Sequence, residues 1–293
     1  VYLSKYSGHL AKNTLLFYCG SEDKLGVIAV IHVKKNWNNC LCLAAGGNVK
    51  HIWDPIDMNV KDRGGSRSLF KANPDRFWGY LVSNYKLKSD FGAAGAKHVF
   101  VVPHHYSNFE ERRKSGFINK DSITVAFAGN EVPLFSQIAR RLQIFTKRIG
   151  KVVDVKKLID VEYNTSAATS ESDAFALRAQ HVDIGVAWTQ SYLESKRYEN
   201  SAQRMSNLMS VGVPTIGYAK YWAYADLVEG AIYNKLASSE AELFRCIQNI
   251  IVNASEYCLA QQEALRLVAK HSPFQIGHAY RSVFQDVLRS AKS

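Results

Sequence analysis

Short apolar runs alternate with amphipathic stretches along most of the chain. Leu15 to Cys19 and Val27 to Val33 read as strands, and the second, VIAVIHV, is near-continuous and β-branched. That is the pattern of a strand buried on both faces of a parallel sheet. Residues 36 to 45 are expected to form a short helix, and Val49 to Trp53 the next strand. Tyr80 to Val82 and His98 to Val102 predict two strands around a helix that Ser83-Asn84 can cap and Gly92 or Gly95 can end. Ile123 opens another strand, ITVAFAG, followed by Leu134, Ile138, Leu142 and Phe145 at helical spacing over about 134 to 148. Lys151 to Val155 predicts a strand and Ala174 to Ala179 a helix.

The run HVDIGVAW from His181 predicts a buried strand. A helix is expected from near Ser201, with Met205, Leu208 and Met209 on its apolar face. Gly212 supplies a left-handed stop and Pro214 prevents continuation, so Val213 to Ile216 starts a strand. Ala231 to Tyr233 predicts a short strand. Ser239-Glu-Ala-Glu242 is a capping box, opening a helix with Leu243, Ile247, Ile250 and Ile251 on one face. Two further helices, about 255 to 270 and 274 to 290, are divided at Ser272-Pro273.

This alternation of strands and helices predicts an α/β protein built on parallel sheets. At 293 residues the chain is long enough for two domains. The linker between them is read at Phe109 to Lys120, in the charged stretch EERRKSGFINKD (110–121). No apolar run approaches the roughly 20 residues of a membrane helix, and the opening VYLSKYSGHLAK has no signal-peptide apolar core. Cys19, Cys40, Cys42, Cys246 and Cys258 form no metal-ligand spacing and read as buried thiols in a reducing, cytoplasmic compartment. The net charge of +11 implies an anionic partner: a nucleotide diphosphate, an anionic lipid surface or nucleic acid. Its basic residues are scattered, as in Arg112 to Lys114 and Arg140-Arg141, which reads as a solvated face rather than a nucleic-acid arm.

Candidate chemistry gathers where strands end. Asp54 and Asp57 follow a strand and suit a sugar hydroxyl or a metal, or else a Pro55 turn. His104 and His105 follow the strand that stops at Pro103. Gly129 and Asn130 form a turn that lets backbone approach a ligand. Beyond the strand at His181, the loop and first helical turn bring Lys196, Glu199, Ser201 and Arg204, and a helix start of this kind favours an anion.

These residues resemble the donor-binding segment of glycosyltransferases of the GT-B fold, most closely the retaining, sugar-nucleotide-dependent ones. Glu199 matches the first glutamate of that family's pattern, and Gly212-Val213-Pro214 matches its ending. The second glutamate, which accepts hydrogen bonds from the donor ribose, is replaced by Asn207, which keeps one acceptor but lacks the charge. The text around Asp54 and Asp57, and the strand running into Pro103, are similar to the family's N-terminal domain.

The resemblance implies two Rossmann-like domains facing across a cleft, with the last helix crossing back to the first. Residues 1–110 plus the tail 276–293 would form the acceptor-side domain, and 120–275 the nucleotide-sugar domain. It implies a hexosyltransferase moving sugar from a nucleotide-sugar donor of the UDP type to an acceptor hydroxyl, with retention and without a metal or other cofactor. Glu199 would hold a donor-sugar hydroxyl, and His105 would touch the acceptor or the transferred sugar. Lys196, Arg204 and Lys147 would hold phosphate, Ser201 and Asn207 the ribose, and Gly129 with Asn130 would lie near the donor. Asp54, Asp57 and His104 would lie on the acceptor side. A glycan or lipid-linked acceptor reached by peripheral membrane contact fits the charge. A non-catalytic binding or scaffold protein, a DNA-modifying glucosyltransferase and a sugar-nucleotide epimerase are the alternatives.

Overall fold

A computed structural model describes residues 14–19, 26–32, 50–54, 78–109, 111–116, 122–128, 135–158, 171–188 and 202–289. These divide into two compact units: residues up to Pro103 together with those from Gly277 onward, and residues from His104 to Ile276.

The first unit holds a sheet in the order β1-β2-β3-β4-β5. Its strands are β1 (Thr14–Cys19), β2 (Gly26–His32), β3 (Lys50–Asp54), β4 (Gly79–Val82) and β5 (Val99–Val101). The last four are parallel, but β1 pairs antiparallel with β2, from Thr14 opposite Ile31 to Cys19 opposite Gly26. The short GSEDKL link allows only a hairpin, because a parallel crossover needs a dozen or more residues. Helix α1 (Tyr85–Ala93) joins β4 to β5. Asn84 caps it, its Oδ1 accepting from Leu87 N at 2.8 Å. Gly95 (φ +101°), rather than Gly92, takes the left-handed position after the helix. Leu87 and Phe91 are buried, and Phe91 lies 5.2 Å from the Tyr80 ring. The expected helix over 36 to 45 lies outside the described residues.

The second unit holds a fully parallel sheet in the order β10-β9-β8-β6-β7. Its strands are β6 (Ser122–Ala128), β7 (Val152–Leu158), β8 (Ile184–Ala187), β9 (Thr215–Tyr218) and β10 (Leu236–Ala237). Between them run α2 (Phe135–Arg148), α3 (Glu171–Ala179), α4 (Gln203–Ser210) and α5 (Trp222–Leu227). After β10 come α6 (Glu240–Ile251), α7 (Ala254–Val268) and a 3-10 turn (Ala269–His271); α8 (Pro273–Arg289) starts in this unit and from Gly277 onward belongs to the first. The proline begins α8, where its missing N–H costs nothing, and Ser272 Oγ accepts from Gln275 N at 3.2 Å.

Both faces of this sheet are buried over β6, β8 and β9. Ile123, Val125, Phe127, Ile184, Val186 and Ile216 pack with Ile138 and Leu142 of α2 and Leu243 and Ile247 of α6. On the other face Ala126 and Ala128 meet Leu208, Val211 and the α3 residues Phe175 and Ala179. Two strand glycines let helices approach closely. A Cβ on Gly217 would stand 2.7 Å from Leu236 Cδ2 and 3.0 Å from Met205 Sδ, and one on Gly185 2.7 Å from Leu208 Cδ1.

Two expectations are corrected here. Residues 231 to 233 form no strand, because the Ile232, Tyr233 and Asn234 N–H groups donate to the Glu263 carboxylate at 2.7–2.8 Å; the strand begins at Leu236. Cys258 is exposed and Cys246 half-buried, so neither is a fully buried thiol. Cys40 and Cys42 lie outside the described residues. Among the described residues, no helix is long and apolar enough to cross a membrane, and no cluster of three metal-ligating side chains occurs.

Candidate functional site

The order of the second sheet creates a switch point. From β6 the chain goes outward to β7, then returns to β8 on the other side of β6. Connections diverge there, and the carboxyl ends of the strands at such a point are the usual ligand position of an open α/β sheet. Helix α4, the next helix after β8, has its first turn toward this carboxyl rim and its last toward the amino rim.

Local sequence explains α4. Met205, Leu208 and Met209 are wholly buried against the sheet and neighbouring helices. Gly212 (φ +85°) ends the helix as expected: its N–H donates to Met209 O at 2.9 Å and Val213 N–H to Leu208 O at 3.2 Å. That double closure satisfies carbonyls otherwise left over at a C-terminus. At the other end Ala202 has no side-chain oxygen to cap the first N–H groups. Gln203 and Arg204, both half-buried, form the first turn.

The segment from His104 runs beside α4 in the same direction. Ser107 N donates to Asn207 Oδ1 at 2.8 Å, and Gln203 Nε2 lies 3.4 Å from Ser107 Oγ. Asn108, buried, donates through Nδ2 to Ser210 O at 3.1 Å, and Arg113 Nη1 donates to the same carbonyl. Lys114 N then reaches Val211 O at 2.7 Å. A second clamp comes from the turn after α7. His271 Nδ1 donates to His104 O at 3.2 Å, and Tyr106 N donates to His271 O at 3.1 Å. Burial pulls the His271 imidazole down to about 4. It is therefore neutral near pH 7, with its proton on Nδ1 because a carbonyl can only accept.

His105 lies between the two residues held by His271 and two positions before Ser107, which meets α4. Its Nδ1 lies 2.9 Å from Tyr106 O, and its ring lies 5.5 Å from that of Phe109.

The opposite rim is sealed. Lys114 Nζ pairs with Asp183 Oδ1 at 2.9 Å, with 3% and 1% of the two side chains exposed. Asp183 Oδ2 accepts from Thr124 N at 2.8 Å, and Tyr257 OH donates to Asp183 O at 3.0 Å. Burial, then the Asp183 charge, raises the Tyr257 phenol above its ordinary range, so it stays a donor. Asn234 Oδ1 accepts from Thr215 N at 2.7 Å. Glu263 takes the three N–H groups ahead of β10; burial opposes its charge, but these bonds and that of Asn234 Nδ2 hold it below the usual carboxylate range.

Of the residues singled out from sequence, Arg204 and Asn207 lie on α4, and the segment that carries His104 and His105 meets that helix through Ser107. Asn207 is buried, with its Oδ1 already accepting from Ser107. Lys147 is separate: α2 connects parallel strands and runs back along them, so its exposed last turn lies at the amino rim. Asp54 ends β3 in the first unit. Asp57, Gly129, Asn130, Lys196, Glu199 and Ser201 lie outside the described residues. Lys114 departs from expectation, since the charged linker places it in a buried ion pair rather than in solvent. The residues that sequence reasoning missed are Ser107, Asn108, Asp183, Glu263 and His271. Only Asp183, placed just before an apolar strand, carried a local sign of its role.

No family model and no curated protein matches the chain. Solved structures do. Sucrose-phosphate synthase from Thermosynechococcus elongatus aligns with a TM-score of 0.62 at 11% identity, over 86% of this chain and 71% of its own. HepE of Anabaena, in complex with UDP-glucose, aligns at 0.57 and 12% identity over 82% and 72%. TarM aligns at 0.57 and 13% identity over 81% of this chain, which spans 50% of the TarM chain. At such identities the likeness concerns fold: this is an α/β protein with the fold of the GT-B glycosyltransferases.

Proposed function

We propose that the protein is a glycosyltransferase that takes sugar from a nucleotide-sugar donor. The observation that carries this reading is the convergence of the His104–Ser107 segment with the first turn of α4, at the switch-point rim, in a fold whose solved relative HepE is described with UDP-glucose. Arg204 and the α4 N-terminus bind the diphosphate, joined by Lys196. Ser201 faces the ribose, and Glu199 holds a donor-sugar hydroxyl. An acceptor hydroxyl oxygen bonds to the anomeric carbon as the bond from that carbon to the diphosphate oxygen breaks. The nucleoside diphosphate leaves with the electron pair, and the hydroxyl proton passes to a base, a role we assign to His105. Helix dipole and cationic side chains stabilise the leaving group, so the step needs no metal. Retention and a glycan or lipid-linked acceptor belong to the same proposal.

A binding protein without turnover is the second reading, and the use of Asn207 Oδ1 by Ser107 favours it. A thermal-shift screen with UDP, other nucleoside diphosphates and their sugars, followed by an assay of UDP release from UDP-glucose, tests both. Ligand at a hundred times its Kd stabilises by about 2.7 kcal/mol. A shift with slow UDP release supports the transferase, and a shift with no release supports the binding protein. No shift with any of them removes the nucleotide site.

A further inference from the structure

Asn207 occupies the position that the resemblance gives to a ribose ligand, yet its surroundings describe another task. Its side chain is buried, and its Oδ1 accepts from the Ser107 backbone N–H at 2.8 Å. Its own carbonyl takes the Ser210 hydroxyl at 2.7 Å. One turn earlier Gln203 Nε2 approaches Ser107 Oγ at 3.4 Å, and one turn later Ser210 O accepts from Asn108 Nδ2 at 3.1 Å. The face of α4 that carries Gln203, Asn207 and Ser210 is therefore laced to residues 107 and 108. The same segment is held from its other flank by His271, through His104 O and Tyr106 N. His105 sits within the second clamp and two residues before the first, with its Nδ1 2.9 Å from Tyr106 O. An amide suits this role better than a carboxylate, because a buried neutral acceptor satisfies one N–H without bringing an unpaired charge into the helix packing.

We infer that Asn207 is a positioning residue that fastens the His104–Asn108 segment to α4, and not a ligand of the donor. Donor binding is left to the first turn of α4, and Asn207 acts on the transfer step through the placement of His105. The second half of this inference rests on the glycosyltransferase reading; the fastening itself does not.

Three measurements on wild type, Asn207→Ala and Asn207→Asp separate the roles: amide hydrogen exchange of the peptide covering 104–109, the Kd for UDP, and kcat for UDP release from UDP-glucose. In Asn207→Ala, exchange at the Ser107 amide rises about tenfold, the factor expected when one buried hydrogen bond is lost. The Kd for UDP stays within about twofold while kcat falls about tenfold, since only an interaction realised in the transition state is lost. Asn207→Asp keeps an acceptor for the Ser107 N–H and recovers exchange protection and kcat in part, short of wild type because it buries a charge. A Kd about tenfold weaker in Asn207→Ala with unchanged exchange makes Asn207 a donor ligand and overturns the inference. Faster exchange with unaltered kcat overturns the link to His105. Should wild type bind no UDP, the glycosyltransferase reading fails, and the exchange comparison alone upholds or overturns the fastening.

Discussion

The two rims of the second sheet are built in opposite ways. At the amino rim, side chains close the backbone: Asp183 on Thr124 N, Asn234 on Thr215 N, Glu263 on three successive N–H groups, and Lys114 neutralising Asp183. At the carboxyl rim, α4 opens at Ala202 and α5 at Tyr221, neither with a side-chain cap. The Trp188 indole N–H, just past β8, is buried and meets no acceptor among the described residues. Later helices are capped, α6 by Ser239 Oγ accepting from Glu242 N at 3.2 Å and α8 by Ser272 Oγ accepting from Gln275 N at 3.2 Å. Among the described residues the same sheet thus spends polar side chains on stability at one rim and leaves the starts of α4 and α5 without a side-chain cap at the other. Rule-breaking confined to one place in a consistent fold is where a ligand is to be sought.

The contrast breaks first if the amino rim turns out soft. Lys114→Met leaves Asp183 charged and buried without its cation, and removal of one partner of such a pair destabilises by about 3–5 kcal/mol. Urea denaturation should show that loss, and adding Asp183→Asn should recover a large part of it. A loss below about 1 kcal/mol would mean that water already reaches the pair, and that the sealed rim is a misreading.

His271 gives the next largest effect, through pH. Burial lowers its imidazole to about 4 in the folded protein, against an unfolded value of about 6.5. From about pH 6.5 down to 4 the unfolded chain takes up a proton that the folded chain refuses, so stability falls with acidification by about 3 kcal/mol. Above pH 6.5 the contribution is complete. His271→Gln retains a donor for His104 O but does not titrate. Its stability against pH should be flatter over that window, and a parallel pair of curves would show that His271 is not held neutral.

Much of this architecture was legible in the sequence, and the failures share one cause. Strand and helix order, the Asn84 and Ser239 caps and the Gly212 stop all follow from residues within a turn of one another. The β1–β2 hairpin was misjudged because VIAVIHV carries no mark of direction; the short link decides it. Residues 231–233 resembled a strand in composition, but their N–H groups are taken by Glu263, a helix away. Lys114 stands in a charged run that local pattern assigns to water, while its partner Asp183 arrives from a distant turn. At the candidate site, helical spacing puts Arg204 and Asn207 on one helix, while a place for His105 near the donor is what the family likeness implied. That Asn207 faces Ser107 is a fact of packing that no local pattern encodes.

The smallest stability effect is expected at the open rim, and it sharpens the contrast most. Arg204 lies in the first turn of α4, half-buried, on the side of the sheet where caps are lacking. Arg204→Ala should change unfolding free energy by less than about 1 kcal/mol, as for a partly exposed site outside the core. The same substitution should weaken UDP by about ten- to a hundredfold, since charge-assisted bonds to phosphate contribute about 1.5–3 kcal/mol. Lys147→Ala, at the other rim, should alter neither quantity, although it removes the same formal charge. Titration of UDP calorimetrically against both variants at two salt concentrations separates a local phosphate contact from the general attraction of a chain carrying a net +11. If the two variants lose affinity equally, and both losses vanish in high salt, the phosphate site is not at α4. If Arg204→Ala instead unfolds the protein while leaving bound UDP unaffected, the open rim is structural, and the division of labour between the two rims is lost.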